Sequence, residues 1–224
     1  LFLKLFEEEQ DLYIYFLLDC SRSMHLGESS KWWYAKRVVA ALSYIGLSNL
    51  DRVGIIPFAD KPLGRFPPTR GRNQIFRVFE FLENLEPGEA TGLESSLRTF
   101  VSQTNRKGMA VVLSDFFDPD GYRDALDQLR YHKFDPVVIQ VYDRRELDPS
   151  VTGDIELVDA ETGDTQTMTV TPRLVRQYRE RFEAFSDKLE AYCKKHQMLS
   201  FCTPVQEAFD DLILRVFRAG GFVD

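Results

Sequence analysis

The chain has 224 residues, of which 44% are hydrophobic and 28% are charged, and this composition suffices for a single globular domain over residues 1–224. Its net charge of -7 at pH 7 argues against a protein that binds nucleic acid or anionic membranes by general electrostatic attraction. No apolar run approaches the roughly 20 residues of a membrane span, and no secretory signal is recognisable.

The cysteines and histidines are not arranged like a metal or catalytic site. Cys20, Cys193 and Cys202 are odd in number, scattered, and without the paired spacing of a zinc site, so we expect reduced core residues in a cytosolic setting. The three histidines are far apart in the sequence, and we expect none of them to be a ligand or a catalytic group.

The first residue is Leu1 rather than methionine, so we expect the chain to be part of a longer protein. That expectation leaves room for a membrane anchor upstream. We therefore place the domain in the cytoplasm, or on the cytoplasmic face of the membrane if the full chain has an anchor.

The first predicted strand, residues 12–18, is an apolar and aromatic run that ends in Asp19 and is followed by Ser21 and Ser23. Residues at positions i, i+2 and i+4 of an extended or turning segment can point the same way, so one carboxylate and two hydroxyls can converge. Oxygen ligands of this kind suit Mg²⁺. A polar turn, in which these side chains cap backbone groups, explains this stretch equally well.

Helical and strand patterns follow in alternation. After a cap at Ser29 or Ser30, apolar periodicity predicts a helix over residues 31–47, and a buried strand follows at residues 53–58. Residues 63–66 are typical of an edge strand that Pro67 and Pro68 end. A second helix is predicted over residues 75–82.

Thr91 and Asp115 come next in the chain. Thr91 and Glu94 fit a capping box for a helix through residues 95–104, and a hydroxyl at that point is also well placed to hydrogen-bond a metal-bound water. The buried strand at residues 108–114 ends in Asp115, just as the first strand ends in Asp19. Because ligands bind beyond the carboxyl ends of parallel strands, two such aspartates are the strongest internal signal of a site.

The remaining pattern completes the fold prediction. Asp118 followed by proline predicts a helix start, and alternation at about residues 151–170 predicts a β-hairpin with its turn at Gly163. Thr171 followed by proline starts a long helix. We predict an α/β, Rossmann-like three-layer αβα sandwich with a mostly parallel sheet, one antiparallel edge strand and a β-hairpin insertion. No glycine-rich nucleotide motif is present, so neither a dinucleotide site nor a P-loop is supported. We also expect no small-molecule substrate.

Five residues together carry a resemblance to a known site. The pattern resembles the metal-ion-dependent adhesion site of von Willebrand factor A domains, and its residues are Asp19, Ser21, Ser23, Thr91 and Asp115. The resemblance implies that Ser21 and Ser23 bind the metal directly, Thr91 directly or through water, and the two aspartates largely through water. Mg²⁺ is the expected ion, with Mn²⁺ or Ca²⁺ as alternatives.

The chain is also similar, over nearly its whole length, to the bacterial family called domain of unknown function fifty-eight. The segments that carry this resemblance are KLFEEEQDL, LDCSRSM, DRVGIIPF, LSDFFD and VDAETGD. Members of that family are often encoded beside MoxR-type AAA+ ATPases, and full-length forms commonly have an N-terminal membrane segment. The resemblance therefore implies a protein partner, a MoxR-type AAA+ ATPase, for which this domain acts as adaptor.

Three functional hypotheses follow. The leading one is a non-catalytic, divalent-metal-dependent protein-binding module, in which an acidic residue of the partner completes the metal's coordination. The alternative is a metal-dependent phosphohydrolase with Asp19 as nucleophile, but that chemistry needs a second aspartate where Ser21 stands. The third is a scaffold that keeps the fold and binds no metal.

Overall fold

The computed structural model of the protein describes residues 12–25, 30–60, 63–88, 92–147, 153–158 and 163–219. The strands are β1 (Tyr13–Asp19), β2 (Arg52–Phe58), β3 (Phe66–Arg70), β4 (Met109–Ser114), β5 (Asp135–Tyr142), β6 (Gly153–Val158), β7 (Thr165–Val170) and β8 (Leu199–Pro204). The helices are α1 (Lys31–Ser48), α2 (Ile75–Glu83), α3 (Leu93–Gln103), α4 (Arg123–Tyr131), α5 (Arg144–Leu147), α6 (Pro172–Lys195) and α7 (Phe209–Arg218).

Six of the strands form the central sheet, in the order β3-β2-β1-β4-β5-β8. All neighbouring pairs are parallel except β2 and β3, so β3 is an antiparallel edge strand. β6 and β7 pair with each other in a separate antiparallel sheet, and Gly163 before β7 has φ +77°, a conformation that glycine adopts without strain. The predicted fold class is confirmed.

Strand β1 shows why helices cover both faces of the sheet. Its side chains alternate, so that Ile14, Phe16 and Leu18 pack into one buried cluster with residues of α1, α2 and α7. Tyr15 and Leu17 point the other way, into a second cluster with residues of α3, α4 and α6. A strand buried on both faces has no polar face, which is why its sequence is an unbroken apolar run.

The edge strand corrects one prediction. Pro67 and Pro68 were expected to end the strand, but both lie inside β3. Proline lacks the N–H that a ladder needs, and an edge strand tolerates it where that N–H would face solvent. The pairing of β3 with β2 also shifts register between Val53 and Ile55, a local irregularity that further loosens the hydrogen-bonding requirement.

The helix starts are partly as predicted. The Ser30 hydroxyl accepts a hydrogen bond from the Trp33 N–H at the start of α1, and Thr171 does the same for Leu174 at the start of α6, with proline at the first helical position. Both caps were expected from the sequence. Among the described residues, no helix has both the length and the apolar composition that crossing a bilayer requires.

The helix predicted to begin at Asp118 begins later, at Arg123. The Asp118 carboxylate instead accepts the Asp120 N–H at 2.8 Å and the Leu93 N–H at 2.9 Å. The N-cap of α3 is Gly92, which has no side chain to satisfy the first N–H groups of that helix. Asp118 therefore caps α3 from a distant loop, and the prediction that it caps its own helix is wrong.

Candidate metal centre

The predicted site residues gather at the carboxyl edge of two neighbouring strands. Asp19 is the last residue of β1, and Asp115 directly follows β4, which pairs with β1 in parallel. Ser21 lies in the loop after β1, and Ser23 lies in the short 3-10 turn Arg22–His25. Thus four of the five predicted residues are brought together by the sheet and one turn.

Thr91, the fifth predicted residue, lies outside the described residues. The helix that follows it, α3, begins at Leu93 with Gly92 as its N-cap. A capping box with Thr91 at the N-cap would need the helix to begin one residue earlier, so that prediction is wrong in register.

Asp19 is held by two neutral donors. One of its oxygens, Oδ1, accepts the Ser21 N–H at 2.9 Å, and the other, Oδ2, accepts the hydroxyl of Ser114. The side chain is buried, at 1% exposure. The polar-turn interpretation thus describes the Asp19 contact to Ser21, while it leaves the hydroxyl of Ser21 free to face the other site oxygens.

Three oxygens form a short chain across the site. The Ser23 hydroxyl donates to Asp115 Oδ2 at 2.9 Å, and because a hydroxyl has one proton, Ser23 accepts its 3.1 Å hydrogen bond from Ser21. In an octahedral Mg²⁺ site with metal–oxygen bonds of about 2.1 Å, neighbouring ligand oxygens lie about 3 Å apart. The spacing and the all-oxygen chemistry of these residues therefore fit a small hard cation.

The described residues contain no group of three or more His, Cys, Asp or Glu side chains placed to hold a metal. This does not conflict with the fit, because half of the oxygen donors here are serine hydroxyls. Sites of this mixed kind carry less charge than a carboxylate cage and depend on water or an incoming ligand to complete the coordination.

A lysine that the sequence reasoning missed enters the same site. Lys31, the first residue of α1, places its Nζ 2.8 Å from Asp115 Oδ2 and 2.6 Å from Glu146 Oε1, and only 3% of its side chain is exposed. The other oxygen of Asp115 accepts the Phe117 N–H at 3.1 Å. Asp115 is therefore bound to a cation of the chain itself.

The charges of the site are not balanced. When ionised, Asp19, Asp115 and Glu146 carry three negative charges, and Lys31 returns one positive charge. Burial, together with the nearby Asp115 carboxylate, raises the pKa of Asp19 to about 7. Burial disfavours the charged form of Lys31, but the two carboxylates beside it outweigh this effect and raise its pKa. The site thus favours an added positive charge.

The missed residues left only a weak signal in the sequence. A lysine at the first position of a helix opposes the helix dipole, and α1 has no acidic residue in its first turn to compensate. Such a lysine calls for a carboxylate from elsewhere in the fold. Asp115 and Glu146 are 84 and 115 positions away in the chain, too far for any local pattern to identify them.

A third aspartate follows the neighbouring strand β5 at the same edge. Asp143 accepts the Arg145 N–H at 2.8 Å, the Arg145 guanidinium at 2.7 Å and the Gln206 amide at 2.6 Å. Burial opposes its ionisation, but the Arg145 guanidinium and these hydrogen bonds outweigh it and lower the pKa of Asp143. Asp143 is thus already neutralised within the chain.

The sequence matches the family model described as "Protein of unknown function DUF58" over residues 1–191. The chain belongs to the DUF58 family. An uncharacterized protein of Mycobacterium bovis and one of Mycobacterium tuberculosis are each 24% identical to it over 171 residues, which is 74% of this chain and 54% of theirs. The chain therefore spans about half the length of these relatives.

Solved structures share the fold. A conserved hypothetical protein, BatB from Bacteroides thetaiotaomicron, has a TM-score of 0.57 at 15% identity, covering 93% of this chain and 98% of its own. An aerotolerance-related membrane protein from Bacteroides fragilis has a TM-score of 0.60 at 17% identity, covering 92% and 97%. At these identities the likeness concerns the fold alone, and this DUF58 chain has the von Willebrand factor A-like architecture.

Proposed function

We propose that this DUF58 domain is a non-catalytic module that binds a partner protein through a divalent metal, with Mg²⁺ as the ion. The residues that would hold it are Asp19, Ser21, Ser23, Asp115 and, by resemblance, Thr91. The metal would supply one electrophilic position that a carboxylate of the partner fills, a short and directional contact. Manganese or calcium would serve in its place.

One observation carries this proposal. The Ser23 hydroxyl lies 3.1 Å from the Ser21 hydroxyl and 2.9 Å from Oδ2 of Asp115, and these three oxygens lie beside carboxylates whose negative charge exceeds the positive charge nearby. Buried carboxylates need a counter-charge, and here the chain's own cation, Lys31, offsets only one of them. With Asp19, Asp115 and Glu146 all ionised, a divalent ion would offset the two negative charges that Lys31 leaves.

The environment of Asp19 supports a non-catalytic role. An aspartate that acts as a nucleophile needs an oxygen that is exposed to its substrate. Both oxygens of Asp19 accept hydrogen bonds, from Ser21 and Ser114, and the side chain is buried. The place of a general acid two residues on is taken by Ser21, which cannot transfer a proton in that role near neutral pH.

The partner we propose is a MoxR-type AAA+ ATPase, with this domain as its adaptor, as the family resemblance implies. A neighbour in fold, from Bacteroides fragilis, is called an aerotolerance-related membrane protein. An adaptor at the cytoplasmic face of a membrane is consistent with that neighbour, and it is part of the proposal for this chain.

Surface plasmon resonance tests the proposal. The 224-residue chain is immobilised, and a purified MoxR-type ATPase of the same organism is injected in Mg²⁺ and then in chelator. We expect binding only in Mg²⁺, and we expect Ser21→Ala to abolish it without changing the circular dichroism spectrum, since Ser21 carries no part of the apolar core.

Ser102→Ala is the matched control, because Ser102 is an exposed serine of α3 that bonds only a carbonyl one turn away. It should bind as the wild type does. Equal binding by the wild type in Mg²⁺ and in chelator would contradict the metal dependence. Metal-dependent release of phosphate from p-nitrophenyl phosphate, lost in Asp19→Asn, would instead support the phosphohydrolase.

A further inference from the structure

The hydrogen bonds of Asp115 leave little room for a further ligand. Its Oδ2 receives both the Ser23 hydroxyl at 2.9 Å and the Lys31 ammonium at 2.8 Å. A carboxylate oxygen has two lone pairs, so these two donors saturate it, while Oδ1 accepts the Phe117 N–H. Any metal ion or metal-bound water that approaches Oδ2 must displace one of the two donors.

Lys31 is the donor that can leave. Ser23 belongs to the proposed ligand set, whereas the Lys31 ammonium also contacts Glu146 Oε1 at 2.6 Å. If it releases Asp115, it keeps a carboxylate partner and is not left as an unpaired buried charge. A small movement of a flexible four-carbon side chain is enough.

Glu146 is fixed independently of Lys31. Its Oε2 accepts the Asp143 N–H at 3.2 Å, and its own N–H donates to the Asp143 carbonyl at 2.9 Å. The backbone of Asp143, directly after β5, therefore holds Glu146 in place as an alternative ion-pair partner for the Lys31 ammonium.

We propose that Lys31 is a tethered cation that holds Asp115 when no metal is bound and competes with the metal for Oδ2 of that residue. The inference rests on the proposed metal centre and adds to it a residue that lowers its affinity. Metal binding then requires Lys31 to move from Asp115 onto Glu146. The metal-free domain keeps its fold, because the buried Asp115 carboxylate is already paired with Lys31.

Isothermal titration with Mn²⁺ tests the competition on the chelator-treated chain. Lys31→Met should bind Mn²⁺ about 10- to 100-fold more tightly than the wild type, the effect of removing one close positive charge. Lys36→Met is the matched control: Lys36 is buried on the same helix, but it lies over the rings of Trp32 and Trp33, and the carboxylate that acts on it is Glu83 rather than Asp115. Its affinity should stay within about threefold of the wild type.

The outcomes separate the two proposals. Equal Mn²⁺ affinity in the wild type and in Lys31→Met would overturn the competition and leave the metal centre intact. Absence of binding in both proteins would overturn the metal centre itself. In chelator, Lys31→Met should also melt at a lower temperature than the wild type, and Mn²⁺ should restore it.

Glu146→Gln is a second variant that keeps the Lys31–Asp115 pair and with it the fold. Without the Glu146 carboxylate as an alternative partner, Lys31 stays paired with Asp115, so Mn²⁺ affinity should fall by about 3- to 10-fold. In the Lys31→Met background the same change should lower the affinity less, because only the direct attraction of the Glu146 charge is then lost, and a double-mutant cycle measures the difference. Glu207→Gln is the control, because Glu207 is also 28% exposed and ion-paired, with Arg215. An unchanged or higher affinity in Glu146→Gln would overturn the proposal.

Discussion

Asp19 and Asp143, at the ends of two strands of the same sheet, make the same backbone hydrogen bond but differ in how their charge is balanced. Asp19 after β1 and Asp143 after β5 both accept the N–H two residues further on. Asp143 then receives a guanidinium, from Arg145, whereas Asp19 receives only the neutral donors of Ser21 and Ser114. Asp143 therefore has a counter-ion within the chain, whereas Asp19 has none among its hydrogen-bond partners.

An aspartate at the end of a strand is therefore not a metal site by itself. Its neighbours in space determine whether a cation of the chain itself neutralises the carboxylate or whether the carboxylate remains available to bind a metal ion. The pKa values express this contrast, since that of Asp143 is lowered by Arg145 and that of Asp19 is raised by burial and Asp115. The sharpest tests change one end and leave the other as control.

The largest expected effect belongs to Asp115→Ala. The change removes the buried carboxylate that pairs with Lys31 and accepts hydrogen bonds from the Ser23 hydroxyl and the Phe117 N–H, so it should lower the free energy of unfolding by about 3 kcal/mol and abolish metal binding. Urea denaturation in chelator measures it. Asp143→Ala should cost only about 1 kcal/mol, because the Arg145 side chain is half exposed. Equal losses would remove the contrast between the two ends.

The second effect is a pH dependence in the metal-free protein. The folded-state pKa of Asp19, about 7, lies above its ordinary value of 3.8, so the folded chain holds this proton more tightly than the unfolded chain does. Stability should therefore fall as pH rises from about 4 to about 7, by on the order of 2 to 4 kcal/mol.

Asp19→Asn should flatten this fall, because an amide mimics the protonated acid at every pH, and Asp143→Asn should keep it. Urea midpoints at pH 5 and pH 8 in chelator measure the slope. The same slope in the wild type and in Asp19→Asn would show that another group carries the titration.

The smallest effect concerns Arg145. A lowered pKa of Asp143 contributes stability that is present above the unfolded-state pKa and is lost as pH falls through the folded value. Arg145→Met should therefore cost about 0.5 to 1 kcal/mol at pH 7, the cost should shrink as pH falls below about 4, and added salt should reduce it. A cost that does not shrink with falling pH would mean that Arg145 stabilises the fold by packing.

The sequence predicted the parts of this fold that local chemistry determines. The helices α1 and α6 were predicted because Ser30 and Thr171 cap them and apolar residues recur at helical spacing. The strands β1 and β4 were predicted because they are continuous apolar runs. The convergence of Asp19 and Asp115 followed from the rule that parallel strands present their carboxyl ends at one edge.

The predictions that were wrong concern features that depend on residues far away in the chain. Pro67 and Pro68 continue a strand because β3 is at an edge, a fact of sheet order. Asp118 caps a helix that precedes it in the chain, through a contact to Leu93. The Lys31 contact to Asp115 also joins distant segments, so no local pattern distinguished this lysine from a solvated one.

The most direct test of the account is a crystal structure of the chain soaked in Mn²⁺, with an anomalous difference map. We expect a peak beside the hydroxyls of Ser21 and Ser23, and the Lys31 ammonium moved off Asp115 and retained by Glu146. A map without a peak there, with Lys31 still bound to Asp115 at saturating Mn²⁺, would contradict both the metal centre and the competition.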